Sequence, residues 1–384
     1  MWMRRAGGLV VTSLLLGLFA APAADTAVIF SDAERSRIVA LGPWPPAITR
    51  DPSNRVSGNP RAIDLGRRLF FDPRMSPVGY VACVSCHAPD RAFADLKPRA
   101  HGLADLERNT IALANLRLQR WYGWGGSSDS LWMASLRPIL DPREFDGSAG
   151  SVARLFRRDE MLARCYRSVF GVPPTGDDER TLVNVGKALA AFLETLQTGR
   201  TPFDDFRDAL ARGHVSPVEY PASAQRGLKL FVGRAGCIDC HNGPNFSDHD
   251  FHATGAPPPI APTPLDRGRV EGARLLIASR YNLSGPYSDA PRRHATLADL
   301  DDRASEAGFR TPSLRNVAVT APYMHNGRVE SLADAIRQHA VGHTPGAPAP
   351  SDADVADLVA FLQTLTDTEG ERRHVAASSQ ECAP

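Results

Sequence analysis

Charge of one sign is almost wholly balanced: 44 Lys and Arg face 43 Asp and Glu, a formal net charge of +1. No bulk field therefore recruits nucleic acid or a charged membrane surface. Long apolar runs are equally scarce. One stretch, Leu9 to Ala21, follows Met1-Trp2-Met3-Arg4-Arg5 and leads into Ala21-Pro22-Ala23, the small-x-small pattern of a secretory leader. It is short for a bilayer span, and no later segment resembles one. Residues 1–23 are thus expected to be a signal peptide and the mature protein to be periplasmic, with no transmembrane segment; retention of the leader as an anchor is the alternative. Strand patterns are weak throughout, which argues against a sheet-dominated fold. Cysteine is scarce too, with six residues in the chain.

What is present is the use made of four of those cysteines. Cys83-Val84-Ser85-Cys86-His87 returns as Cys237-Ile238-Asp239-Cys240-His241. In the pattern C-x-x-C-H two thiols form thioethers with the haem vinyl groups and the adjacent imidazole becomes the proximal iron ligand. C-x-x-C alone also serves structural zinc and redox dithiols. Neither explains a His directly after the second Cys, twice, with no other Cys pair near. The motifs therefore predict two covalently bound haem c groups, and export fits, since c-type attachment is completed outside the bacterial cytoplasm. Of the other two cysteines, Cys165 lies in an Arg-rich amphipathic stretch and Cys382 near the end. A disulfide between them is allowed outside the cytoplasm, but two unrelated thiols is the reading taken here.

The rest of the chain is arranged around the duplicated motif. Ala62 to Phe71 is helical in period ahead of the first copy, and Ser223 to Val232 echoes it ahead of the second. Phe93-Ala94-Asp95 and Phe246-Ser247-Asp248 follow the two copies. Each half then closes on a similar helix, Val183 to Gln197 and Val355 to Thr366. Echoes in one order mark an internal duplication. The expected fold is all-α, two tandem cytochrome c-like domains, loop-rich, at 61–205 and 206–370. An extended arm (24–60) precedes them and a tail (371–384) follows. Trp121 to Gly150 and Gly255 to Ala307, rich in Gly, Pro, Asp and Ser, read as ordered loops around haem.

The segments Leu69 to Ser76, Cys83 to His87, Arg108-Asn109-Thr110, Thr311 to Val317 and Thr320 to Gly327 together resemble the bacterial di-haem cytochrome c peroxidase and MauG family. The resemblance covers most of residues 60 to 370, more weakly at 145–182 and 255–307. It implies a peroxidatic first haem and an electron-transfer second haem. His87 and His241 are the proximal ligands. His101 stands where the peroxidases carry a removable distal cap on the first iron; by itself it reads equally as a surface His. Glu144 matches the distal carboxylate that moves a proton between peroxide oxygens, a role for which a raised pKa suits it. Trp124 matches the electron relay between haems. His339 falls at the sixth-ligand position of the second iron, where relatives carry Met or Tyr, with His343 and Met324 as fallbacks. Asn109, Thr320 and Pro322 match an interdomain calcium site. Two departures stand out: Ala134 where the family has Gln, and Trp124-Gly125-Gly126-Ser127 where it has Trp-Asp-Gly-Arg.

Three functions fit this pattern. The first is a peroxidase that reduces hydrogen peroxide with electrons from a small c-type cytochrome or cupredoxin; peroxidase relatives tend to form homodimers. The second is a MauG-like oxidase acting on a Trp or Tyr of a partner protein. The third is an electron-transfer cytochrome, which requires both irons to be six-coordinate.

Overall fold

The computed structural model describes residues 28–213, 220–253, 255–256, 266–291, 308–343 and 349–367, with backbone alone at 340–343. In chain order the helices are α1 (Asp32–Val39), α2 (Pro60–Phe71), α3 (Leu131–Leu140), α4 (Ala149–Arg158), α5 (Glu160–Phe170), α6 (Asp178–Leu193), α7 (Pro202–Ala211), α8 (Ala222–Val232), α9 (Gly268–Ala278), α10 (Leu332–His343) and α11 (Asp352–Gln363). The strands β1 (Phe251–Ala253) and β2 (Gly308–Arg310) form one short antiparallel pair.

Two helix crossings organise the molecule, and they are copies of each other. α2 starts at Asn59, whose side chain accepts from the amides of Arg61 and Ala62, with Pro60 in the first turn, where no amide is needed. It buries Leu65, Leu69 and Phe70 and crosses α6 at Gly66, where a side chain would overlap the carbonyl of Ala188. α8 crosses α11 in the same way, with Gly227 against the carbonyl of Asp357. Each crossing carries an aromatic triad. Phe70 lies 5.4 Å from Phe192 and 6.3 Å from Phe93, ring centre to ring centre; Phe231 lies 5.0 Å from Phe361 and 6.0 Å from Phe246. All six rings are buried, each stabilising by about 1.5–3 kcal/mol. One hydrophobic cluster surrounds α2 to α6; a second joins α1, α7, α8 and α11.

The segment 24–60, expected to be extended, contains α1, which Ser31 and Glu34 cap reciprocally. It spans both clusters, with Ile38 and Leu41 in the second and Val56 in the first. The Trp44 indole donates to the carbonyl of Thr198 at 3.1 Å, and the Arg315 guanidinium stacks 3.5 Å above its ring.

Two stretches expected as loops hold helices instead. α3 begins at Ser130, whose hydroxyl accepts from the amide of Met133, and buries Leu131, Trp132, Met133, Leu136 and Ile139. Pro138 sits in its last turn, too late to prevent it. α9 lies directly on the backbone of Gly125, where a side chain at Gly272 or at Gly125 would strike main-chain atoms. Cys165 is fully buried on α5 and disulfide-bonded, which corrects the reading of it as an unrelated free thiol. Cys382 and the tail 371–384 lie outside the described residues, as do residues 1–23.

Candidate functional site

The attachment motifs form matching 3-10 turns, Cys83–Ser85 after α2 and Cys237–Asp239 after α8. Their four thiols are free and half-buried. Burial pushes Cys83 up to about 12, and both Cys237 and Cys240 up to about 11. His87 Nδ1 lies 3.0 Å from the carbonyl of Phe93, and His241 Nδ1 lies 3.1 Å from that of Phe246. A carbonyl only accepts, so each Nδ1 carries the proton and each Nε2 keeps its lone pair for a metal. Phe93 and Phe246 both adopt left-handed backbone angles, with φ of 57° and 51°, and so aim these carbonyls. Burial holds His87 below its usual range, in the neutral form that ligates.

Cys83, Cys86 and His87 form one wall of a cavity of about 740 Å³. Phe70, Leu113, Leu116, Leu131, Leu189 and Leu193 supply apolar sides. One end is polar. Arg310 is fully buried, lines the cavity, and donates to the carbonyls of Gly123 and Thr311, with no carboxylate partner among the described residues. Gln119 Oε1 and Ser128 Oγ, also on the lining, are buried with no hydrogen-bond partner among the described residues. A buried cation and orphaned polar atoms at the end of an apolar slot fit a flat macrocycle bearing carboxylates. The residues present therefore fit haem c.

The wall formed by α3 and the turn after it carries Ala134, Arg137, Pro138, Asp141 and Glu144. Burial, reinforced by Asp141 and opposed by Arg137 and Arg143, raises the Glu144 carboxyl to about 7. The His101 loop is fastened to this turn. The amides of Leu103 and Ala104 donate to the carbonyl of Arg143 at 2.7 and 2.9 Å, and a side chain at Gly102 would strike the Glu144 backbone. The His101 ring is exposed, bonds Asp105 at 2.6 Å through Nδ1, and does not line the cavity. The structure thus brings Glu144 to the His87 cavity but not the His101 imidazole.

The second motif meets a different surrounding. His339, on α10, places its ring centre 6.0 Å from that of His241, tilted by 55°. The two imidazoles would be the residues to hold the second haem iron. The His343 side chain lies outside the described residues. Met324 sits in a left-handed turn, φ 70°, ahead of His325.

Trp124 lies at the seam between the two halves. Its indole donates to the carbonyl of Asn109 at 2.9 Å, while the Asn109 amide donates to the carbonyl of His325 at 2.8 Å. This seam shows a further echo of the duplication. Asn115 (φ 63°) and Asn316 (φ 61°) each donate a backbone amide to the closing segment of their own half, at Leu196 and Leu365. Bridges at Tyr122–Ser128 and Tyr323–Val329 follow at the same offset, so His325 occupies in the second half the place Trp124 holds in the first. The matched Asn and Tyr spacing was the signal that could have revealed this. Of the calcium candidates, Asn109 sits on the seam, its side chain donating to the carbonyl of Lys97, and Thr320 and Pro322 lie on the segment that leads to His325. The Trp124-Gly125-Gly126 departure has a packing cause: α9 rests on these glycines, and its Arg269 is sandwiched between Trp121 and Phe251 and donates to the carbonyl of Gly126.

The chain is similar to several known proteins. A family model described as di-haem cytochrome c peroxidase matches residues 60–211. The methylamine utilization protein MauG of Methylorubrum extorquens is 33% identical over 317 residues, covering 80% of this chain and 78% of its own. The cytochrome c551 peroxidase of Pseudomonas aeruginosa is 29% identical over 357 residues, covering 92% and 90%. Among solved structures, a MauG-like protein associated with microbial copper homeostasis aligns with a TM-score of 0.64 at 25% identity, covering 89% of this chain and 97% of its own. The diheme peroxidase BthA from Burkholderia thailandensis aligns at 0.63 and 25%, covering 84% and 92%.

Proposed function

The chain belongs to the di-haem cytochrome c peroxidase family, and from that premise we propose an exported, periplasmic peroxidase that reduces hydrogen peroxide to water with electrons from a small c-type cytochrome or cupredoxin. When bound, the haem at Cys83–His87 supplies the iron at which peroxide is reduced, and the haem at Cys237–His241 supplies the centre through which electrons enter. His87 and His241 hold the irons from one side. Glu144 takes the proton from one peroxide oxygen and returns it to the other, and its pKa of about 7 suits both halves of that task. Trp124, on the seam between the halves, is the relay. His339 would hold the second iron together with His241. A calcium ion near Asn109, Thr320 and Pro322 would tie the seam through oxygen ligands.

The observation that carries this reading is an asymmetry. His241 faces a second imidazole at 6.0 Å, whereas His87 faces a cavity walled by Glu144. The test is peroxide consumption by the haem-loaded protein with a reduced small cytochrome c as donor. Glu144→Gln should lower kcat by about 10²–10⁴-fold with both haems retained. Undiminished turnover in that variant would remove the proton shuttle from the account.

A second reading, a MauG-like oxidase of a partner's Trp or Tyr, is favoured by two features. The His101 ring lies outside the cavity on Asp105, which leaves the first site ready as built, and the sixth-ligand position of the second site carries His339. Peroxide consumption that requires a partner protein and leaves that partner oxidised would select it.

A further inference from the structure

The missing distal Gln has a counterpart one helical turn away. Ala134 and Arg137 lie on one face of α3, and both line the His87 cavity together with Glu144. Arg137 has no carboxylate within ion-pair distance among the described residues, although Glu144 and Asp141 attract it and Arg108 repels it. The nearby arginines are engaged: Arg108 forms a bidentate pair with Asp266 at 2.7 and 2.6 Å, and Arg143 holds Glu107 and Asp141. Arg137 is exposed toward the open part of this cavity; a guanidinium without an ion-pair partner among the described residues, on the same wall as Glu144, is placed for charge that develops during reaction.

Resting on the peroxidase reading above, we propose that Arg137 is a second catalytic group, which donates hydrogen bonds to bound peroxide and stabilises the negative charge on the departing oxygen, the task the absent Gln leaves open at Ala134. The step balances as follows. Glu144 takes a proton from one peroxide oxygen and delivers it to the other, the O–O bond is cleaved, and two electrons from the small redox protein with two further protons bring both oxygens to water, one hydrogen peroxide with two electrons and two protons giving two waters. Arg137 acts on the oxygen that receives the Glu144 proton, before that proton arrives.

The proposal extends to small anions and hydrogen-bond acceptors, so fluoride serves as a probe independent of turnover. In the oxidised, haem-loaded protein, Arg137→Ala should weaken fluoride binding, followed by absorbance at fixed pH, by about 10-fold or more, and lower kcat for peroxide by about 10²–10³-fold. Arg137→Lys should recover part of both effects, and the low-spin signature of the second haem should not move. Should the alanine variant fail to take up haem, Arg137→Gln, which is shorter and keeps two N–H donors but not the charge, carries the test with intermediate losses expected. Fluoride affinity and peroxide kinetics in Arg137→Ala within twofold of a reactive parent would overturn the arginine's role and leave the peroxidase reading standing. A parent that does not react with peroxide at all would overturn both.

Discussion

Glu144 is held near neutrality by opposed effects: burial and Asp141 favour its protonated form, Arg137 and Arg143 its carboxylate. The pH dependence follows in sign. The proton-accepting form is lost as pH falls below about 7, so kcat/KM for peroxide should climb through that value, and this limb should vanish in Glu144→Gln. A flat profile in the parent would contradict the assignment. His101 gives a second residue-scale prediction. Its ring is exposed on Asp105, so His101→Ala should leave the absorbance spectrum of the oxidised protein unchanged; a low-spin to high-spin conversion would mean that it caps the first iron. At this scale the sequence was legible wherever chemistry is written in adjacent positions, as in Cys83-Val84-Ser85-Cys86-His87. Arg137 and Arg310 were not legible, because an arginine's meaning here depends on which carboxylates the fold withholds from it.

Helices were legible where an apolar face repeats with the right period and a cap precedes it. α2 with Asn59 and Pro60, and α6 after Asp177, are cases of this kind. α3 and α9 escaped notice because their neighbourhoods are rich in Gly and Pro. The helices form nevertheless, α3 burying Trp132 and Leu136 and α9 burying Arg269, Ala273 and Leu276; tertiary contact outweighs local composition. The duplicated crossings make a sharp prediction. Gly227→Ala would force a methyl onto the carbonyl of Asp357 and should cost about 1–3 kcal/mol, lowering the thermal unfolding midpoint. A midpoint equal to that of the parent would show that the crossing is looser than described.

At the scale of the molecule, the halves and the segment before α2 are joined by a few buried polar ties. Arg315 is fully buried, pairs with buried Asp204 at 2.9 Å and stacks on Trp44. Asp204→Ala strands that charge and should cost about 3–5 kcal/mol, read as a fall in the chemical-denaturation midpoint; a loss under 1 kcal/mol would contradict a structural role for the pair. Such ties join residues far apart in sequence, which is why neither the echoes nor composition disclosed them. At the same scale two nearly identical helix crossings have different surroundings at their motifs: His241 lies near His339, and His87 lines a cavity with Glu144.

Electron paramagnetic resonance of the oxidised, haem-loaded protein tests that inequality most directly. The account predicts a high-spin signal from the His87 site beside a low-spin signal from the His241 site, the latter converting in His339→Ala. Low-spin signals alone, in both the oxidised and the half-reduced protein, would contradict it.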